Sequence, residues 1–169
     1  TLALPASIGN FLWFDDNGNG KQDSGELGVS GQTVTLIGGG ADGLISTTGD
    51  NTTATTTTDG SGNYSFAGLT PGVEYQVTFS KPGGTVFTTP DASGTTDTND
   101  SDANTSTGKA PIVTLASAED NTSIDAGIFR RSRPTIIASL SRMRQTIVSP
   151  CTVGNVDTRM STFLRPVSK

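Results

Sequence analysis

Ser7-Ile8-Gly9-Asn10-Phe11-Leu12-Trp13-Phe14 runs straight into Asp15-Asp16-Asn17-Gly18-Asn19-Gly20-Lys21-Gln22-Asp23-Ser24-Gly25-Glu26, and the change of character after Phe14 sets the architecture. The first stretch is apolar almost throughout, as a buried strand requires. The second fits D-x-[DN]-x-[DN]-G-x5-E at every specified position. Calcium takes about 6–8 hard oxygen ligands. The pattern offers side-chain oxygens of Asp15, Asn17 and Asn19, the Lys21 carbonyl, Asp23 directly or through water, and both carboxylate oxygens of Glu26. Gly20 permits the sharp bend. The bland reading is an Asn-Gly turn cluster joining two strands. An ordinary EF-hand does not fit, because the preceding residues are strand-like and no apolar helical stripe follows Glu26. The loop is therefore expected on a β scaffold.

The rest of the chain agrees with that scaffold. Its 169 residues include 28 Thr, 21 Gly and 8 Pro, with 32% hydrophobic and 16% charged residues. Thr and Gly at these levels favour strands and turns over long helices. Short strands are expected at Ser7–Phe14, Gln32–Ile37, Thr52–Thr58, Tyr64–Phe66, Val73–Phe79, Pro111–Leu115 and Ser123–Phe129. Thr52–Thr58 has nothing apolar to bury and reads as an edge strand. Gly68-Leu69-Thr70-Pro71-Gly72 reads as a tight reversal. Trp13 reads as core rather than as a binding platform.

Function classes fall away on composition. There is no histidine, and Cys151 is the only cysteine. Ser–His–Asp and Cys–His catalysis, His- or Cys-paired zinc sites and an intrachain disulfide are thereby excluded. No apolar run is long enough to span a membrane. The opening at Thr1, with neither Met nor a signal-peptide pattern, gives the expectation of a processed product. A non-enzymatic role follows.

The net charge of −5 hides two opposed parts. Residues 1–129 carry 12 Asp and 3 Glu against Lys21, Lys81 and Lys109, or −12; residues 130–169 carry seven Arg and Lys169 against Asp157, or +7. A domain over 1–129 and a basic C-terminal extension over 130–169 are expected. In the extension, Ile136, Leu140, Met143 and Ile147 fall on one helical face, while β-branched Thr135–Ile137 and Thr146–Val148 favour a strand. It is expected to dock on an acidic domain, its own or a neighbour's, to act as a membrane-surface or nucleic-acid arm, or to be unrelated to the domain. Lack of Tyr and Trp, with tethering to a −12 domain, counts against nucleic acid. Apolar Thr1–Ala6 has the character to pair with a neighbour's edge strand.

Two polar stretches, Gly38–Asn51 and Pro90–Gly108, separate the strands, and the second is too long for a simple turn. Within it Asp97-Thr98-Asn99-Asp100-Ser101-Asp102, with Asp91 upstream, crowds carboxylates that repel unless a cation or hydrogen bonds offset them. A weaker calcium site and a solvated acidic loop are both open, since no fixed ligand template fits.

Taken with Gly28–Leu36, Thr58–Leu69, Pro71-Gly72, Tyr75–Phe79, Asp100-Ser101-Asp102 and Ile124–Phe129, the opening segment resembles the Sdr-type B domains of bacterial surface proteins. These are related to the collagen-adhesin B-type (prealbumin-like) sandwich. The resemblance covers about residues 6–129. It implies an all-β, immunoglobulin-like (prealbumin-like) β-sandwich with a calcium-binding loop after the first strand, rigidified by Ca2+. The module would be extracellular, at the cell surface, a stalk, spacer or fibre subunit touching copies of itself or neighbouring surface domains. Its metal ligands would be Asp15, Asn17, Asn19, Lys21 (carbonyl), Asp23 and Glu26, with Asp97, Asn99, Asp100 and Asp102 of the second loop. The Lys–Asn isopeptide bond of some collagen-adhesin relatives is not expected, because the first strand has no Lys. The rival function is an adhesin or carbohydrate-binding module using the Gly38–Asn51 loop or the Thr-rich face, against which the scarcity of exposed aromatics weighs.

Overall fold

The computed structural model describes residues 2–131. The expectations for the helix or strand at residues 134–148, for Cys151 and for docking of the extension lie outside the described residues.

Nine strands form two sheets among the described residues: β1 (Ala6–Phe14), β2 (Thr33–Gly38), β3 (Thr52–Thr57), β4 (Asn63–Leu69), β5 (Glu74–Phe79), β6 (Thr85–Phe87), β7 (Lys109–Thr114), β8 (Asp120–Asn121) and β9 (Ala126–Arg130). One sheet runs β4-β1-β9-β6, with β8 also on β1; the other runs β3-β2-β5-β7. Within the first of these sheets, β1 changes partner along its length. Its Ala6–Phe11 half pairs antiparallel with β4, and Leu12–Phe14 pairs parallel with Ala126–Ile128 of β9.

Period-two alternation explains the core. In β2, Val34 and Leu36 face inward while Thr33 faces solvent; in β5, Tyr75, Val77 and Phe79 are buried in alternate positions. Tyr64 and Phe66 of β4 meet them, and the Tyr64 ring packs edge-on against Phe79 with centroids 5.4 Å apart. The Tyr64 hydroxyl donates to the Ile124 carbonyl at 2.7 Å, so its polar end is satisfied inside the core. Ile8, Leu12, Trp13 and Ile128 have no exposed surface. Trp13 is core, as its sequence neighbours imply. Beside its ring lies Gly127, where a Cβ would stand 2.9 Å from Trp13 Cζ2.

All seven expected strands appear with shifted ends, and the differences have physical causes. The strand from Asn63 runs on to Leu69, so Gly68 and Leu69 belong to β4 rather than to the reversal. Ser123–Asp125 is not strand; β9 begins at Ala126 because Asp125 turns inward to backbone and side-chain donors. Strands β6 and β8, of three and two residues, carry too little pattern to be seen. Strand β9 extends one residue past the expected boundary at Phe129. Thr52–Thr57 is an edge strand with almost every side chain exposed. The Thr1–Ala6 segment divides: Ala6 is buried in β1, whereas Leu2 and Leu4 are exposed. Leu4 is held to its own chain, its N–H on Ser117 Oγ at 2.9 Å and its carbonyl on Ala118 N at 3.1 Å.

This division of labour gives a direct test. Leu12→Ala removes a fully buried side chain and is expected to cost about 2–5 kcal/mol. Thr55→Ala on the exposed edge is expected to stay within about 0.5 kcal/mol of wild type. Urea denaturation midpoints check both, and equal effects would contradict the assignment of core and edge.

Candidate metal centre

The loop after β1 is built around Asp15. The Asp15 N–H donates to the Ile128 carbonyl at 2.8 Å, which ties the loop's first residue to β9. Its carboxylate is fully buried. Oδ1 accepts the N–H groups of Gly18 at 2.6 Å and Asn19 at 3.1 Å. Oδ2 accepts Gly20 N–H at 2.8 Å and the Thr88 hydroxyl at 2.5 Å. Three successive amides therefore point at one side chain, which curls the backbone. Gly20 has φ +80°, and a Cβ there would lie 2.6 Å from the Thr89 carbonyl oxygen. The expected sharp bend at this residue is present, and only glycine fits it.

The other motif side chains gather on the solvent side of that curl. Asn17 and Asn19 each donate Nδ2 to Asp23 Oδ2, at 2.9 and 2.8 Å. Their Oδ1 atoms accept the N–H groups of Asn19 and Lys21, at 2.9 and 2.8 Å. These amide donors, then the nearby Lys21 cation, hold the Asp23 carboxyl below its ordinary value. Glu26 closes the loop, Oε1 accepting Asp16 N–H at 2.9 Å and Oε2 accepting Asp23 N–H at 3.0 Å. Lys21 Nζ lies 3.8 Å from Asp23 Oδ1. The structure thus brings Asn17, Asn19 and Asp23 together, sets Glu26 across from them, and spends Asp15 on the backbone beneath.

The second acidic loop lies against the first. Lys21 and Asp100 form an antiparallel bridge. Gln22 N–H donates to the Asn99 carbonyl at 2.8 Å, and Ser101 N–H to the Gly20 carbonyl at 3.2 Å. A further backbone bond, Asp91 N–H to the Ser101 carbonyl at 3.0 Å, closes the segment between them. Asp97 stays exposed, and Asn99 Oδ1 caps the Thr96 N–H. Asp100 is buried; Oδ2 accepts the Thr95 hydroxyl at 2.9 Å, while Oδ1 is buried without a partner.

Behind it sits a pair that the sequence reading did not join. Asp102 Oδ2 accepts Asp125 N–H at 2.6 Å, and Asp125 accepts Phe11 N–H at 3.1 Å and Asn10 Nδ2 at 2.8 Å. Burial is the main cause that pushes the Asp102 carboxyl up to about 7, helped by Asp100, Asp97 and Asp91 against a hydrogen bond from Asp125. Burial likewise pushes Asp125 up to about 8, reinforced by Asp102. Asp125 sits between apolar Ile124 and Ala126, and that interruption of an apolar run is the signal that marks it. Thr88, the hydroxyl partner of Asp15, has no such signal.

Among the described residues no three His, Cys, Asp or Glu side chains converge as a ready-made metal cluster. Any ion here draws on amide and peptide oxygens beside the carboxylates. Such an all-oxygen set suits a hard cation and not zinc or copper. The orphaned Asp100 Oδ1 adds one buried acceptor that a cation would satisfy.

The Gly38–Asn51 loop is largely exposed, and carboxylates hold its amides. Asp50 Oδ2 accepts the N–H groups of Ala41 and Asp42 at 2.8 and 3.2 Å, and Glu74 Oε2 accepts Ile45 N–H at 2.9 Å. Asp42 Oδ1 likewise accepts Leu44 N–H at 2.9 Å, so the loop's own two carboxylates serve its backbone and Glu74 reaches in from β5.

A family model described as the SdrD B-like domain matches residues 6–128. Serine-aspartate repeat-containing protein D of Staphylococcus aureus (strain Newman) is 38% identical over 124 residues, covering 73% of this chain and 8% of the relative. Serine-aspartate repeat-containing protein C of Staphylococcus aureus (strain N315) is 36% identical over 124 residues, with 73% and 11% covered. The chain therefore spans about a tenth of the length of these curated relatives. Among solved structures, the shaft pilin SpaA from Lactobacillus rhamnosus GG aligns at 12% identity and a TM-score of 0.41, over 78% of this chain and 52% of that one. With a family model across both acidic loops and relatives at these identities, the chain belongs to the SdrD B-like domains, structural modules of cell-surface proteins rather than an enzyme family.

Proposed function

We propose that the domain is a calcium-dependent spacer, in which the loop from Asp15 to Glu26 takes up Ca2+ and so stiffens one end of the sandwich. The observation that carries this reading is the gathering of Asn17, Asn19 and Asp23 within hydrogen-bond distance, with Glu26 across the loop. The residues that would hold the ion are Asp15, Asn17, Asn19, Asp23 and Glu26 through side chains and Lys21 through its carbonyl. A weaker site would use Asp97, Asn99, Asp100 and Asp102. Bound calcium supplies positive charge against carboxylates that repel one another.

The chain's own residues do the rest. Asp15 fixes the backbone curl, and the Gly20–Ser101 and Gln22–Asn99 hydrogen bonds pass order from the first loop to the second. A spacer needs stiffness, and ordering two loops at one end supplies it. Placement in a stalk or fibre, with contacts between copies or neighbouring domains, belongs to the same proposal. An adhesin or sugar-binding module is the weaker alternative, because the Gly38–Asn51 loop spends its own carboxylates, Asp42 and Asp50, on its own amides.

Binding to the folded state alone stabilises by RT ln(1 + [L]/Kd), about 2.7 kcal/mol at a hundredfold excess over Kd, which is on the order of 10 °C in Tm. EGTA is expected to lower Tm by that amount, and Asp23→Ala or Glu26→Ala to abolish most of the difference. Calorimetric scans with and without EGTA check this; identical curves for wild type would refute it.

A second expectation concerns pH. Asp102 and Asp125 titrate at about 7 and about 8, above the ordinary 3.8, so the folded state binds more protons than the unfolded state between those limits. Their contribution is complete below about pH 4 and is lost as pH rises through 7 and 8. With no histidine in the chain, little else in the domain titrates in that window. In EGTA, Tm is expected to fall from pH 5 to pH 8.5, and excess calcium to flatten that slope. A Tm that rises over this range in EGTA would contradict the burial of the pair.

A further inference from the structure

The loop holds the only two Asn-Gly pairs in the sequence, Asn17-Gly18 and Asn19-Gly20. This dipeptide is the one most prone to deamidation, because glycine has no Cβ to shield its nitrogen. The glycine nitrogen gives up its proton to solvent and attacks the asparagine Cγ. A C–N bond forms, the Cγ–Nδ2 bond breaks and ammonia leaves. Water then opens the cyclic imide to aspartate or isoaspartate.

We propose that Asn17-Gly18 and Asn19-Gly20 are this domain's deamidation sites and that Asp15 and Asp23 hold both of them closed. The four reacting groups are each engaged. The two nucleophiles, Gly18 N–H and Gly20 N–H, donate to Asp15 at 2.6 and 2.8 Å. The two leaving groups, Asn17 Nδ2 and Asn19 Nδ2, donate to Asp23 Oδ2 at 2.9 and 2.8 Å. Each side-chain carbonyl also turns past the adjacent glycine, Asn17 Oδ1 taking Asn19 N–H and Asn19 Oδ1 taking Lys21 N–H. That turn directs Cγ at the amide two residues on, not at the neighbouring nitrogen that must attack it.

The two sites are not equal. Asn17, Gly18 and Asn19 are exposed, so water reaches them, whereas Gly20 is buried against the Thr89 carbonyl. Once the clamp is loosened, Asn17 reacts first. Reaction at either site would replace the amide that donates to Asp23 with another carboxylate. Isoaspartate would also lengthen the backbone that reaches Ser101 through Gly20.

The proposal rests on hydrogen bonds alone and is tested without calcium. The full chain is held in EGTA at neutral pH, with and without denaturing urea. Peptide mapping by mass spectrometry follows amide-to-acid conversion, with Asn63-Tyr64 as an internal slow reference. Folded wild type is expected to convert several-fold more slowly at Asn17 and Asn19 than the urea-unfolded chain. Asp23→Ala, an accessible position whose loss leaves the core intact, is expected to speed conversion several-fold at both sites, Asn17 ahead of Asn19. Asp15→Asn, with circular dichroism to verify folding, is expected to do the same. Equal rates for folded and unfolded wild type, or a folded Asp23→Ala protein that converts no faster than wild type, would overturn the proposal.

Discussion

Four donors converge on the carboxylate of Asp15, and the shape of the acidic end of the domain depends on them. Three are consecutive backbone N–H groups and the fourth is the hydroxyl of Thr88, brought from beyond β6. Hydrogen bonds to a charged group contribute about 1.5–3 kcal/mol each, and a buried donor left unpaired costs about 1–3 kcal/mol. Without this acceptor the buried Gly20 amide would lose its partner, while the exposed Gly18 and Asn19 amides would keep only the Asp15 carbonyl, Asn17 Oδ1 and water. The sandwich thus does more than carry the loop: it places one carboxylate where the chain leaves β1, and the following residues wrap around it.

From that point the two acidic loops behave as one structural unit. The backbone bonds between Gly20 and Ser101 and between Gln22 and Asn99 join segments distant in sequence. Two further carboxyls, Asp102 and Asp125, are buried behind the second loop; Asp102 N–H donates to the Asp125 carbonyl and Asp125 N–H to the Asp102 carboxylate. Burial makes their charged forms costly, so this end of the domain carries an electrostatic load that protonation or a cation relieves. The second sheet, β3-β2-β5-β7, is ordinary by comparison, with apolar residues buried at alternate positions of β2 and β5 and exposed threonines along β3.

The period-two segments were legible in the sequence because each buries alternate residues against the same core. Val34 and Leu36, or Tyr75, Val77 and Phe79, state their own orientation. The twelve-residue loop was legible because its glycines and oxygen-bearing residues are spaced by local backbone geometry. What lay between elements was not. Thr85–Phe87 joins a sheet only because β9 offers it an edge, and nothing in three residues records that. The bridge from Lys21 to Asp100 and the pairing of Asp102 with Asp125 are made by chain topology. Asp15 is the instructive case. The motif marks it by position, but its four internal donors, one of them from Thr88, are brought to it by the fold beneath the solvent-side Asn17, Asn19, Asp23 and Glu26.

The account turns on one cation-responsive loop governing a second through shared backbone bonds. A calcium titration followed by amide NMR on the full chain tests it most directly. The account predicts that the amides of residues 15–26 and 97–102 shift together along a single binding curve, while those of Thr52–Thr57 stay in place. Shifts confined to one loop, or none in either, would contradict it.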